Sequence, residues 1–363
     1  MNPYYSYQVG RLPMGCRHCV KGRKLVLFVT GMCPRHCFYC PISENKWQRD
    51  VVFADEWPVK RDSDIITEAR LIGALGAGIT GGDPLVCLDR TVRYIKMLKR
   101  RFGKGFHIHL YTPLDLVNKG ALQKLAGAGL DEIRFHPDIE DDRLWGRIGL
   151  ARAHKWDLGV EIPAIPGKKR QTQKMMNFLR GKIDFLNLNE LEISDTNAQE
   201  FMQKRFRPKD RLSHGVFGSE PLALELLRLA GFRSIHYCTS RLKDKVQLAN
   251  RIKNRAKSVK KEYDHVTEEG LLFRGAIYTR DAPPDSKVVP DGIFPKLRKL
   301  RNKFIKEYDI PPGLIEVDVQ PRLLTNVKVA ETLASELKGR DLIPALVWEY
   351  PTYDQFPVEL ELL

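Results

Sequence analysis

The run Lys24-Leu-Val-Leu-Phe-Val-Thr30 is continuously apolar and rich in β-branched residues, the pattern of a strand buried on both faces. It delivers the chain directly into Gly31-Met-Cys-Pro-Arg-His-Cys-Phe-Tyr-Cys-Pro41. A strand of this kind belongs in a parallel sheet covered by helices, so the cysteine loop sits at a strand's C-terminal end, where such folds gather their ligands. A cubane iron–sulfur cluster normally takes four thiolates. A loop that supplies only Cys33, Cys37 and Cys40 would leave one iron open to an outside ligand. A zinc knuckle borrowing His36 or His18, or a set of core cysteines, is the alternative reading of the same residues.

The C-x3-C-x2-C spacing, with Tyr39 just before the last cysteine, resembles the signature of the radical S-adenosylmethionine (SAM) superfamily. The resemblance implies a [4Fe-4S] cluster on Cys33, Cys37 and Cys40 whose open iron chelates the amino and carboxylate groups of SAM. A second strand, Ala77-Gly-Ile-Thr80, runs into Gly81-Gly82-Asp83-Pro84, which is similar to the superfamily's GGEP-type segment with Asp in place of Glu. In the family the backbone of this segment binds the methionine amino group, so the Asp variant does not by itself remove the function. The resemblance therefore places Tyr39, Gly81, Gly82, Asp83 and Pro84 at the cofactor. It also implies one-electron cleavage of SAM to a 5′-deoxyadenosyl radical that abstracts hydrogen, and a low-potential donor of ferredoxin or flavodoxin type.

Further β and α segments follow. Ser63 and Asp64 can cap a helix carrying Ile65, Ala69 and Ile72, and Thr91 to Arg101 is a second amphipathic stretch. Strands are expected at 106–111, 131–135, 159–165 and 183–188. The fold class is α/β, and the resemblance implies an incomplete (β/α)6 barrel over roughly residues 25–215. Polar residues at the strand ends are candidates for SAM and substrate: His109, Tyr111, Arg134, His136, Glu161, Asn187, Asn189, Glu190 and Glu192. Glu161, Asn187, Asn189, Glu190 and His136 are the catalytic candidates; Asn187, Asn189 and Glu161 interrupt otherwise apolar runs. Gly159-Val-Glu-Ile-Pro-Ala-Ile-Pro-Gly167 resembles the fifth strand and turn of glycyl-radical-enzyme activases, a branch that includes pyruvate formate-lyase activating enzyme and related archaeal proteins.

Cys16 and Cys19 form a C-x2-C pair before the first barrel strand, and Cys238 ends a late strand. Together they are candidates for an auxiliary iron–sulfur cluster, or for zinc with His18 or His236. Cys87 reads as a small buried residue. A leader with a basic region and apolar core is not evident, nor is a membrane span, so a cytoplasmic, reducing compartment is expected.

Three divisions are expected: an N-terminal segment 1–24 with the C-x2-C pair, a partial barrel 25–240, and a basic α/β accessory domain 241–363. Within the last, 241–261 and 296–306 read as basic helices, 327–337 as a helix, 270–279, 314–319 and 342–348 as strands, and 282–290 as a loop. The formal net charge of +15 is concentrated in these runs and in 168–182. Such clusters favour a polyanion, so RNA or tRNA modification is one expectation, in line with a general likeness to archaeal enzymes that build tricyclic guanosine derivatives. A solvated face of a thermophilic protein is the bland reading. Modification of a protein by an activase is the second functional reading, and a non-catalytic zinc-dependent RNA-binding protein the third.

Overall fold

In the strands of the N-terminal part every second residue is apolar, and these residues all turn to the same side. The computed structural model describes the whole chain except residues 212, 230, 287, 338 and 339, and it divides into two units, Met1–Arg251 and Ile252–Leu363. The first unit holds strands β1 (Tyr7–Val9), β2 (Lys24–Phe28), β3 (Phe53–Ala54), β4 (Trp57–Pro58), β5 (Gly76–Thr80), β6 (His107–Thr112), β7 (Glu132–Phe135), β8 (Asp157–Ala164), β9 (Phe185–Glu190) and β10 (Ile235–Cys238). Their spatial order is β1-β10-β9-β8-β7-β6-β5-β2-β3-β4. From β2 through β5 to β10 all neighbours are parallel, and antiparallel β1 and β3 flank this run. The sheet does not close on itself, so the barrel is incomplete. The six expected strands are β2 and β5 to β9, and β10 extends them.

Helices α2 (Asp62–Leu71), α3 (Leu88–Phe102), α4 (Lys119–Ala128), α5 (Lys169–Leu179) and α7 (Ser219–Leu229) cover the outer face; α6 (Ala198–Gln203) follows β9. Leu25, Leu27, Ile79, Ile108, Leu110, Ile133, Leu158, Val160, Leu186 and Tyr237 join one core with helix residues such as Ile95, Leu122 and Leu226. Alternation then leaves Lys24, His109, Arg134, Glu161, Asn187 and His236 facing inward. Helix α1 (Met14–Val20) lies on that inner face. It contacts β2, β5 and β6, and its Cys16 Sγ meets Arg134 on β7 and Asn187 on β9, each at 3.4 Å. One short helix can reach so many strands only because the sheet curves around it.

His109 shows how tight this floor is. A Cβ on Gly15 would stand 2.7 Å from its Nδ1, and one on Gly78 would stand 2.7 Å from its Nε2. Its ring fills the space between two glycine backbones, which makes it a packing element and keeps it out of the candidate site.

Helix α2 begins at Asp62, earlier than the expected cap at Ser63 and Asp64: the Asp64 carboxylate reaches back to the N–H groups of Lys60 and Arg61. The units divide after Arg251 and not after Ser240. Thr239 caps α8 (Ser240–Leu242), the π-helical turn Lys243–Leu248 follows, and Arg251, early in α9 (Ala249–Val259), pairs with Asp55 at 2.8 Å. The N-terminal segment is likewise part of the first unit, through α1 and through β1 on β10.

The second unit is an antiparallel sheet ordered β13-β14-β12-β15-β16, with β11 beside β12. Its elements are β11 (His265–Val266), β12 (Leu272–Thr279), α10 (Ile293–Glu307), β13 (Ile315–Val317), β14 (Leu323–Thr325), α11 (Val327–Leu337), β15 (Leu342–Glu349) and β16 (Pro357–Leu362). Strands β14 and β16 are additional to those expected. Of the expected loop 282–290, Lys287 lies outside the described residues. Arg322 is buried against Glu349 and Asp318, which accounts for three charges in a small core. Among the described residues no helix is long and apolar enough to cross a membrane.

Gly78→Ala should lower stability by about 1–3 kcal/mol through overpacking against His109. Thermal unfolding checks this, and Gly105→Ala, where an added Cβ meets nothing within 4 Å, is the control expected to change little.

Candidate active site

Residues from the C-terminal ends of successive strands surround one cavity of about 360 Å³. Cys33, Cys37, Tyr39 and Cys40 come from the loop after β2, Gly81 and Gly82 from the turn after β5, and Tyr111, His136, Glu161 and Asn189 from β6 to β9. The cysteine loop is tied down by backbone contacts: Gly31 N donates to Arg49 O at 2.8 Å, Cys40 N to Cys37 O at 3.0 Å, and Gln48 Nε2 to Cys33 O at 3.1 Å. Gly82 N donates to Thr30 O at 2.7 Å and Asp83 N to Met32 O at 2.8 Å. A Cβ on Gly82 would lie 2.3 Å from Met32 O, so only glycine allows the two loops this approach.

Beneath the cavity lies a buried polar network. Arg134, 2% exposed, donates to Glu132 at 2.5 Å, Glu161 at 2.8 Å and Tyr111 Oη at 3.1 Å. Asn187 and Asn189 each donate to Glu161 at 2.9 Å. Burial opposes charge on Glu161, but the guanidinium and the two amides outweigh it and hold its pKa at about 2. His136 Nδ1 stands 2.7 Å from the Glu161 carbonyl, so that nitrogen carries the proton and Nε2 accepts from Tyr39 Oη at 3.0 Å. Burial, with Arg35 beside it, pushes His136 down to about 4, so the imidazole is neutral. Arg35 in turn donates to the His136 carbonyl at 2.7 Å and pairs with Asp138 at 3.1 Å.

Burial raises the Cys33 thiol to about 11 and lifts Cys37 and Cys40 as well, so metal must displace their protons. Among the described residues no three His, Cys, Asp or Glu side chains stand where they could hold a single metal ion. Three thiols on one wall, beside a glycine backbone without side chains, fit a larger thiolate-bound group with a ligand alongside.

Glu190 and Glu192 also line the cavity. Asn187 lies one layer below it, and Arg134 and His109 are buried in the floor. Asp83 and Pro84 do not line it. The Asp83 carboxyl is 0% exposed, accepting from Leu85 N at 2.9 Å and Thr112 Oγ1 at 2.8 Å, and the Pro84 carbonyl receives Thr91 Oγ1. Arg35, Trp47, Thr112 and Lys243 line the cavity without having been expected there. Lys243, paired with Glu192 at 2.8 Å, is hidden in sequence within a basic run; only the Thr239 cap and the π turn aim it inward.

A family model for the Radical SAM superfamily matches residues 27–165, the segment that carries both cavity loops. The chain belongs to this superfamily and is an enzyme, which sets aside the non-catalytic zinc reading; the superfamily's cofactors are a [4Fe-4S] cluster and SAM. It is 39% identical over 371 aligned positions, covering 98% of this chain and 94% of the relative, to a Methanocaldococcus jannaschii protein whose name places it provisionally among glycyl-radical enzyme activating enzymes. Among solved structures, methylornithine synthase aligns with a TM-score of 0.41 at 15% identity, over 61% of this chain and 74% of its own. The radical SAM methyltransferase TsrM of Kitasatospora setae gives 0.39 at 12% identity over 69% of this chain, which spans 55% of that protein.

Burial pushes the Asp83 carboxyl up to about 6. Its folded-state pKa thus lies above the unfolded value, so its contribution is fully present below pH 4 and is lost as pH rises to 6, by up to about 3 kcal/mol. Asp83→Asn should therefore gain stability relative to wild type between pH 4 and 6 and keep a constant advantage above, with SAM binding retained. Denaturant titrations across pH check this; a pH-independent difference would refute the assignment.

Proposed function

We propose that the chain is a radical SAM activase that removes a hydrogen atom from a glycine of a partner protein. In this reading Cys33, Cys37 and Cys40 hold the cluster, the Gly81–Gly82 backbone faces the methionine end of SAM, and a low-potential ferredoxin or flavodoxin supplies the electron. The observation that carries it is the meeting of three thiols and a bare glycine backbone in one cavity at the strand ends. When bound, the cluster and SAM supply reductive cleavage to a 5′-deoxyadenosyl radical. The chain's own residues orient and enclose. Tyr39 and His136 lock each other, Arg134 fixes Glu161, and Asn189, Glu192 and Lys243 offer polar contacts to what enters.

A protein substrate is favoured over RNA by where the charges stand. Lys168 pairs with Glu140 at 2.7 Å and Lys174 with Asp142 at 2.6 Å, Lys169 pairs with Glu225, and Arg251 meets both Asp55 and Glu56. Much of the basic excess is therefore neutralised within the fold. A second cavity of about 750 Å³ shares Pro41 and Glu192 with the first; its wall includes Glu44, Asp195 and Asp244 and, among the described residues, no Lys or Arg. A phosphate backbone would be repelled there.

Reduced enzyme incubated anaerobically with SAM and a proteome labelled with dideuterated glycine should yield 5′-deoxyadenosine carrying deuterium, read by mass spectrometry. Deuterium-free product, together with turnover stimulated by the RNA fraction, would move the assignment to RNA. Cys33→Ala/Cys37→Ala/Cys40→Ala should abolish SAM cleavage altogether.

A further inference from the structure

The Cys16 and Cys19 pair and Cys238 take no part in the chemistry derived above, yet the fold brings them to one place. We propose that Cys16, Cys19 and Cys238 hold a second iron–sulfur cluster on the inner face of the sheet, bordering the cavity, with His236 the protein donor beside its fourth iron.

On α1 the two cysteines are three residues apart and share a helix face. Cys16, 8% exposed, receives N–H groups from Arg134 and Asn187, each at 3.4 Å, surroundings that suit a thiolate. Strand β10 runs parallel to β9 with His236 beside Asn187 and Cys238 beside Asn189. Because Ile235 and Tyr237 belong to the outer core, His236 and Cys238 point inward. Cys238 is thus displaced from the point where Cys16 meets Asn187 by one strand spacing, about 4.8 Å, across and one two-residue step, about 6.6 Å, along. The three thiols are close enough for their charges to interact, the same relation that links Cys33, Cys37 and Cys40.

Two further groups lack the partners they need. Lys24, at the inner start of β2, makes no carboxylate pair among the described residues, and the acidic groups nearest its ammonium are the Cys19 and Cys16 thiols and the Tyr111 phenol. A buried cation without a counter-charge is strongly unfavourable, and thiolates fixed on a cluster provide that charge. His236 is 2% exposed and neither ring nitrogen has a hydrogen-bond partner. Such an orphaned imidazole points to a missing ligand. A single ion does not suit, since no three donors stand at its spacing. A cubane, which spreads its ligands over four irons, spans a wider set. Asn189, beside Cys238, lines the cavity.

The test is iron, acid-labile sulfide and zinc content with electron paramagnetic resonance, with and without SAM, on anaerobically prepared protein. The wild type should hold two clusters. Cys16→Ala/Cys19→Ala and Cys238→Ala should each lose half the iron and keep a signal that SAM perturbs, which also shows that they fold. Cys33→Ala/Cys37→Ala/Cys40→Ala should keep one cluster blind to SAM. A single SAM-responsive cluster in wild type, absent from that last variant and unchanged in the other two, would overturn this inference and leave the radical SAM site intact; zinc at Cys16 and Cys19 would overturn it equally.

Discussion

Arg134 is the interaction on which the rest of the first unit depends. Its guanidinium reaches Glu132 on its own strand, Tyr111 on β6, Glu161 on β8 and the Cys16 sulfur on α1. A charge buried at that depth is tolerable only with every donor occupied. Those bonds in turn set which way the acidic side chains of the barrel interior face. Remove the cation and two carboxylates remain buried without a partner, a loss on the order of 3–5 kcal/mol.

The inner face pays for function with polarity. Outside the sheet, alternate strand residues form an ordinary apolar core; inside, the same strands carry histidines, carboxylates, amides and thiols. Held by mutual hydrogen bonds, these groups leave little freedom at the cavity wall. Glu161 is fixed by three donors, His136 is held in one tautomer by a carbonyl and a phenol, and the glycine turn is locked to the cysteine loop through Thr30 and Met32. A radical intermediate needs such a wall, because loose polar side chains would offer alternative hydrogens.

Much of this was legible in the residues. The apolar run before Gly31 and the strands at 106–111, 131–135, 159–165 and 183–188 are period-2 patterns strong enough to survive without tertiary information. The C-x3-C-x2-C loop and Gly81–Gly82 carry their chemistry in spacing alone. Less readable were features made by contacts distant in sequence. Nothing local tells that Asp83 turns away toward Thr112, that His109 fills a gap between Gly15 and Gly78, or that Lys243 enters the cavity from within a basic run. The positive charge misleads for the same reason: Lys168, Lys169 and Lys174 find their acidic partners on other segments, so a one-dimensional count overstates the field they present.

The helix lodged on the inner face has a kinetic consequence. Residues 14–20 are synthesised before any strand they touch, and β1 pairs with β10, with Tyr7 opposite Tyr237. Neither contact can form until the chain has been made past Cys238, so this stretch waits while the sheet assembles and then closes its floor last. Such long loop closures make assembly slow and leave the polar interior open to water in the partly folded state. That same interval is when inorganic iron and sulfide can reach thiols that the finished fold encloses, so cofactor loading and the final docking of α1 compete for one window of time.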